Sequence, residues 1–105
     1  MTGAELLNVL ARHQGRERGI HAADLARVCS VPTRRLRALI SALREEGMAI
    51  CGTPATGSYL ATTPDELRES CKFLHERAMK SLVLASRMQQ ISLPELLGQL
   101  KLNQA

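Results

Sequence analysis

Arg34, Arg35 and Arg37 fall within one turn's length of each other in the segment TRRLRALISALREEG at 33–47, and no acid follows them until Glu45. A guanidinium carries five N–H donors in a planar fork that matches phosphate oxygens and the O6/N7 edge of guanine, so the chemistry on offer is polyanion recognition. At a helical step of about 100° per residue, Leu39, Ile40 and Leu43 all lie within about 60° of Leu36, which makes one face of the segment apolar. Arg34, Arg37, Ala38 and Ser41 lie on the other side, with Arg35 at its edge. Ala38 and Ser41 are small enough to let such a helix approach another surface closely. The spacing therefore predicts a helix over 33–46 with one buried stripe and one basic face, closed by Gly47 in the left-handed position that often ends helices.

No other cluster of reactive residue types has comparable organisation. Cys71 and His75 share an i, i+4 spacing, but no second matched pair accompanies them, so no metal is expected. His13 and His21 have no partnered Ser, Cys or Asp, and Asp24, Glu45 and Glu46 read as solvated or helix-end charges rather than an acid–base pair. The glycines at 15 and 19 do not have the spacing of a phosphate-cradling loop. The chain is accordingly read as a protein that is not an enzyme, with no cofactor and no small-molecule ligand.

Composition sets the frame in which the basic helix must be held. The 105 residues suffice for one small core, and with 45% hydrophobic but only 2% aromatic residues that core must be built from aliphatic side chains on helices. The net charge of +4 is uneven: residues 1–60 hold eight arginines against five acids, and residues 61–105 hold six basic groups against five acids. Three cysteines, Cys29, Cys51 and Cys71, form an odd set without C-x-x-C spacing, which predicts reduced, buried thiols rather than a disulfide framework. No stretch reads as a signal peptide or a membrane span, and a soluble cytoplasmic protein is expected.

The elements that would position the arginines follow from caps and breakers. Thr2 and Glu5 have capping-box spacing for a first helix over 3–13, with Leu6, Val9 and Leu10 inward. GRERG at 15–19 is a charged turn, Ile20 is available for a single strand pairing, and HAADLARVC at 21–29 is a second helix with Leu25, Ala26 and Val28 as its apolar positions. Ser30, Val31 and Pro32 break it, and Pro32 marks the next helix start. Residues 48–51 and 58–61 read as two strands of a hairpin around the turn residues 52–57. Thr63 and Pro64 open a long helix to Gln89, with Asp65, Glu66 and Glu69 favouring its positive end, and Ser92, Pro94 and Glu95 open a last helix carrying Leu96, Leu97 and Leu100.

Leu25–Ala26, Ser30, Val31, Leu36 and Ile40, followed by Gly47 and MAICGTPATGSYLATT, resemble winged helix-turn-helix DNA-binding regulators. The hairpin is similar to the wing of the biotin-repressor type, with Gly57 and Tyr59 closing it, and the layout is similar to that of small phage and prophage regulators. The resemblance covers residues 4–63. It implies a mainly α fold with a small β-hairpin, a winged helix-turn-helix domain over 1–63 followed by C-terminal helices over 64–105, and binding to double-stranded DNA. Arg34, Arg35, Arg37 and Ser41, with Thr33 at the helix start, would then meet the major groove, while Arg12, Arg16, Arg18, Arg27, Arg35 and Arg44 supply phosphate contacts. The family's turn glycine is replaced by Ser30, its helix-capping Ser or Thr by Pro32, and the wing tip at 53–58 has no Lys or Arg.

In the long helix Leu67, Cys71, Leu74, Ala78, Ser81, Ala85 and Met88 recur by four and three, a heptad seam. Phe73, Met79, Leu82, Val83, Leu84 and Ile91 form a second apolar set. Two such faces on so small a chain predict a homodimer through Leu67, Cys71, Leu74, Ala78, Ser81, Leu82, Ala85 and Met88, which would place two reading helices on a two-fold symmetric operator. The function expected is a dimeric, sequence-specific transcriptional regulator, a repressor in the first instance. The alternative is a winged-helix protein-interaction module in a replication or mobile-element complex that does not bind DNA itself.

Overall fold

The computed structural model describes residues 1–103, which form five α-helices and one two-stranded antiparallel sheet. The chain divides into two compact units, Met1–Cys71 and the remainder from Lys72 onward. The first two turns of the long helix thus belong with the first unit, eight residues past the boundary at 63/64 that the sequence suggests.

In the first unit, α1 (Gly3–Leu10) starts with the capping box complete: Thr2 Oγ1 accepts from the Glu5 amide at 3.2 Å and the Glu5 carboxylate from the Thr2 amide at 3.3 Å. It ends three residues before His13. The amides of Arg12 and His13 turn back to Val9 and Leu10 in tighter i, i−3 bonds, and the His13 carbonyl is taken by the Leu60 amide at 2.9 Å. A tertiary bond that local spacing cannot reveal therefore shortens the helix. GRERG forms a single 3₁₀ turn, Arg16–Arg18, and Ile20 makes the one strand pairing expected of it, exchanging both backbone bonds with Ser58 at 2.8 and 2.9 Å.

α2 (Ala22–Cys29) buries Leu25, Ala26 and Cys29. Val28 does not join them and is 60% exposed. Relative to the mean direction of the three buried positions it is rotated by about 100°, so the stripe passes it by. Ser30 follows at φ 55, a left-handed residue where glycine would be less strained.

α3 (Thr33–Glu45) occupies the centre of the unit: α1, α2 and the following strand all pack against it. Leu36, Leu39, Ile40 and Leu43 are buried as the periodicity predicts, joining Leu6, Leu10, Leu25 and Ile50 in one core. Burial of each aliphatic side chain contributes about 1.5–3 kcal/mol, enough in sum to fix the rotation of α3 about its axis. Gly47 closes it at φ 92.

The hairpin consists of β1 (Ile50–Thr53) and β2 (Gly57–Leu60), paired Ile50 to Leu60 and Cys51 to Tyr59. The pleat sends Ile50 and Leu60 toward the helical core and Cys51 and Tyr59 to the other face, where both are fully buried. Gly57 sits at φ 76, and a Cβ there would lie 2.5 Å from the Ile20 carbonyl carbon, so both backbone conformation and space demand glycine.

α4 (Pro64–Gln89) opens on Thr63, whose Oγ1 accepts from the Glu66 amide at 3.2 Å, with Pro64 at its first position. Within the second unit α4 ends at the left-handed Gln90, φ 58, and α5 (Leu93–Asn103) begins with the Ser92 hydroxyl accepting from Glu95 N at 3.2 Å. Among the described residues no helix is long and apolar enough to cross a membrane.

Candidate functional site

Because the four buried residues of α3 fix its rotation, they also fix what it turns outward. Thr33, Arg34, Arg35, Arg37, Ala38 and Ser41 are all exposed. None of the three arginines forms an ion pair or a side-chain hydrogen bond among the described residues. The helix has no acid in its first turn, and Pro32, its N-cap at φ −62, offers no side-chain acceptor to the first amides. Positive charge and free donors are therefore concentrated at the same end of α3.

The other arginines expected to touch a nucleic acid are placed differently. Arg44 is half-buried and its Nε donates to the Ile50 carbonyl at 2.7 Å, which ties the end of α3 to β1. It thereby acts as a structural clamp. Arg16 pairs with Glu69, and the neighbouring Tyr59 hydroxyl, together with that carboxylate, holds its guanidinium above the ordinary arginine range. Arg27 makes an exposed i, i+3 pair with Asp24 at 3.2 Å, worth only a few tenths of a kcal/mol and readily exchanged. Arg12 and Arg18 are exposed.

No protein-family model matches this chain, and neither does any curated protein or solved structure. The reading of the site accordingly rests on its own geometry.

Glu66 is the residue whose role the spacing conceals. Its Oε1 accepts from both the amide and the hydroxyl of Thr62 at 2.9 Å, and its Oε2 from the Arg16 amide at 2.6 Å. Backbone bonds from Thr62 and Arg16 favour the charged form, lowering its pKa to about 2. The T-x-x-E spacing of Thr63 and Glu66 signals a helix start, and Thr63 does cap it; that the carboxylate reaches across to the 3₁₀ turn depends on a partner fifty residues away. With Glu69 on Arg16, and Ser70 Oγ accepting from the Gly52 amide at 3.2 Å, it fastens the start of α4 to the turn and the hairpin.

The hairpin tip is neutral and self-satisfied. Thr53 N donates to Thr56 Oγ1 at 3.0 Å, Thr56 N to Thr53 Oγ1 at 3.3 Å, and Thr56 Oγ1 to the Gly57 carbonyl at 2.9 Å. Its hydroxyls are thus engaged with their own turn.

Two of the cysteines, Cys29 and Cys51, are buried with thiols pushed up by desolvation, whereas Cys71 is exposed, against the expectation that all three are buried. No group of three or more metal-ligating side chains occurs among the described residues.

Along α4, Leu67 (41%), Cys71, Leu74 (42%), Ala78, Ser81 and Met88 (77%) are exposed, with Ala85 and Leu82 half-buried. Phe73, Met79, Val83 and Ile91 of the second apolar set are half-buried too, and Leu84 of that set is 59% exposed. From Lys72 onward, Leu96 is the one buried hydrophobic residue among those described, and buried Ser86 spends its hydroxyl on the Val83 carbonyl at 2.7 Å. Arg77 stacks over Phe73 at 5.9 Å.

Proposed function

We propose that this chain is a winged helix-turn-helix regulator that binds duplex DNA in a sequence-specific way, α2 and α3 forming the motif and β1–β2 the wing. The observation that carries this reading is the outer face of α3, where Arg34, Arg35 and Arg37 are exposed, carry no ion pair among the described residues and stand beside the small residues Ala38 and Ser41. Three unpaired guanidiniums beside a narrow waist suit a major groove about 12 Å wide, which admits a helix of about that diameter. An ordinary solvated face would more commonly alternate its signs.

Arg12, Arg18, Arg27 and Arg35 remain to bind phosphates once Arg16 and Arg44 are set aside. Four such contacts, or five with Arg37 also on a phosphate, give an expected slope of log affinity against log salt of about −4 per monomer. The test is fluorescence anisotropy on random-sequence and selected duplexes over a salt series. Absence of binding at low salt, or binding that ignores salt, overturns the reading.

The regulator acts as a homodimer through the α4 seam. The seam residues Leu74, Ala78, Ser81 and Met88 stay exposed, and a helical segment with a single buried hydrophobic residue among those described has too little core to be stable without a partner. Small residues at Ala78, Ser81 and Ala85 allow two copies of the helix to approach closely. Two reading helices then fall on successive turns of a two-fold symmetric site, as expected of a repressor. Such a chain acts in the cytoplasm, where its target DNA is.

The second reading is a protein-interaction module of the same architecture. The neutral, self-bonded hairpin tip favours it, since that element offers no cation to a phosphate backbone.

A further inference from the structure

The three arginines of α3 are all exposed, but they do not point the same way. The mean direction of Leu36, Leu39, Ile40 and Leu43 defines the inward side of the helix. At about 100° per residue, Arg34, Ala38, Ser41 and Glu45 all lie within about 30° of the line diametrically opposite. Arg37 lies about 70° to one side of that line and Arg35 about 90° to the other. The outermost ridge of α3 is therefore one arginine followed by two small residues, with a second and a third arginine standing on its two shoulders.

We infer, on the footing of the DNA-binding reading above, that this arrangement divides the work: Arg34, with Ala38 and Ser41, faces base edges, whereas Arg35 and Arg37 bind phosphates of opposite strands. Major-groove dimensions enforce the division. A helix seated in the groove leaves its outermost ridge against the base pairs and its shoulders against the two phosphate walls. Arg34 has the fork that discriminates guanine by its O6 and N7, the Ala38 methyl suits a thymine methyl, and Ser41 accepts or donates to several edges. At about 1.5 Å per residue, Arg34 to Ser41 spans about 10 Å, or about three base pairs at 3.4 Å each. The site is thus a short element with an essential guanine, flanked by backbone contacts that carry no sequence information.

Selection from a random duplex pool, repeated with wild type, R34A, R35A and R37A, separates the roles. Loss of Arg34 should erase preference at one guanine and weaken the best wild-type site by about 10- to 100-fold. Losing Arg35 or Arg37 should leave the enriched sequence unchanged, weaken all duplexes alike and reduce the salt slope by about one each. Because alanine is a good helix former, these exposed substitutions leave α3 intact, which circular dichroism checks. The lysine variants add a second reading: R35K and R37K should retain affinity and slope, while R34K loses guanine discrimination, since a point charge does not replace a planar fork. If the three alanine variants shift the enriched sequence equally, or R35A or R37A shifts it and R34A does not, the division of labour is wrong although DNA binding stands. If the wild type enriches nothing and binds no duplex at low salt, DNA binding itself fails, and this inference with it.

Discussion

Arg37 and Arg16 sit on the surface of the same compact unit and meet opposite fates. Arg16 is paired with Glu69, and its own amide is held by Glu66, so it helps to fix the turn to the start of α4. Arg37 has an alanine beside it, an exposed serine one turn on, and no ion pair among the described residues. Arg44 belongs with Arg16, since its Nε is given to the Ile50 carbonyl. The same side chain is structural where an acceptor is folded against it and available to a partner where none is. Counting basic residues therefore overstates a binding surface, because only those left without internal acceptors keep their donors for another molecule.

The sharpest way to break this comparison is to remove the free arginines together. R34A/R35A/R37A should lower affinity for the selected duplex by about 1000-fold, about 4 kcal/mol, with an unchanged melting temperature. A matching loss on replacing Arg16 alone, in a protein that remains folded, would show that paired and unpaired arginines are equivalent and the distinction empty. Turning to the inner face of α3, Leu36→Ala should destabilise the fold by about 3 kcal/mol, read by urea denaturation, because a fully buried side chain is removed from the centre of the core. A loss below about 1 kcal/mol would place the rotation of α3 in question, and with it the direction in which the arginines point.

On α4, Ala78→Glu should convert the dimer to monomer in light scattering at micromolar concentration and cost about tenfold or more in operator affinity, since two linked half-sites become independent. A wild-type monomer would leave the exposed seam without its proposed partner. The smallest effect concerns the network around Arg16. Glu66 has its folded pKa lowered to about 2 from an ordinary value of 4.5, so the stability it contributes is fully present above about 4.5 and disappears as pH falls through about 2. Glu66→Gln should flatten the dependence of stability on pH over that interval and leave DNA affinity at pH 7 almost unchanged. Parallel wild-type and variant profiles would remove Glu66 from the account of how the turn is held.

Much of the molecule was legible from local signals. The bounds of α3 and α4, the capping of α1, α4 and α5 by Thr2, Thr63 and Ser92, the left-handed Gly47 and the readiness of Ile20 for a single strand pairing all follow from side-chain types within a few residues of the feature. Misreadings occur where packing or a tertiary partner overrides the local pattern. The first helix loses its last turn because the His13 carbonyl goes to Leu60, and Val28 leaves the core because its neighbours set the stripe's direction. Arg44 turns its Nε inward because β1 supplies a carbonyl.

What the residue order determined alone is the amphipathic character of α3: the i, i+3, i+4, i+7 spacing of Leu36, Leu39, Ile40 and Leu43 places Arg34, Ala38 and Ser41 on the far side whatever the core is made of, because helical geometry is a property of the backbone. Which arginines stay unpaired was decided only by tertiary structure. That outcome depends on whether an acceptor such as Glu69 or the Ile50 carbonyl is brought within hydrogen-bonding distance, and chain folding sets those distances, across 53 residues for Arg16 and Glu69 and across six for Arg44 and Ile50.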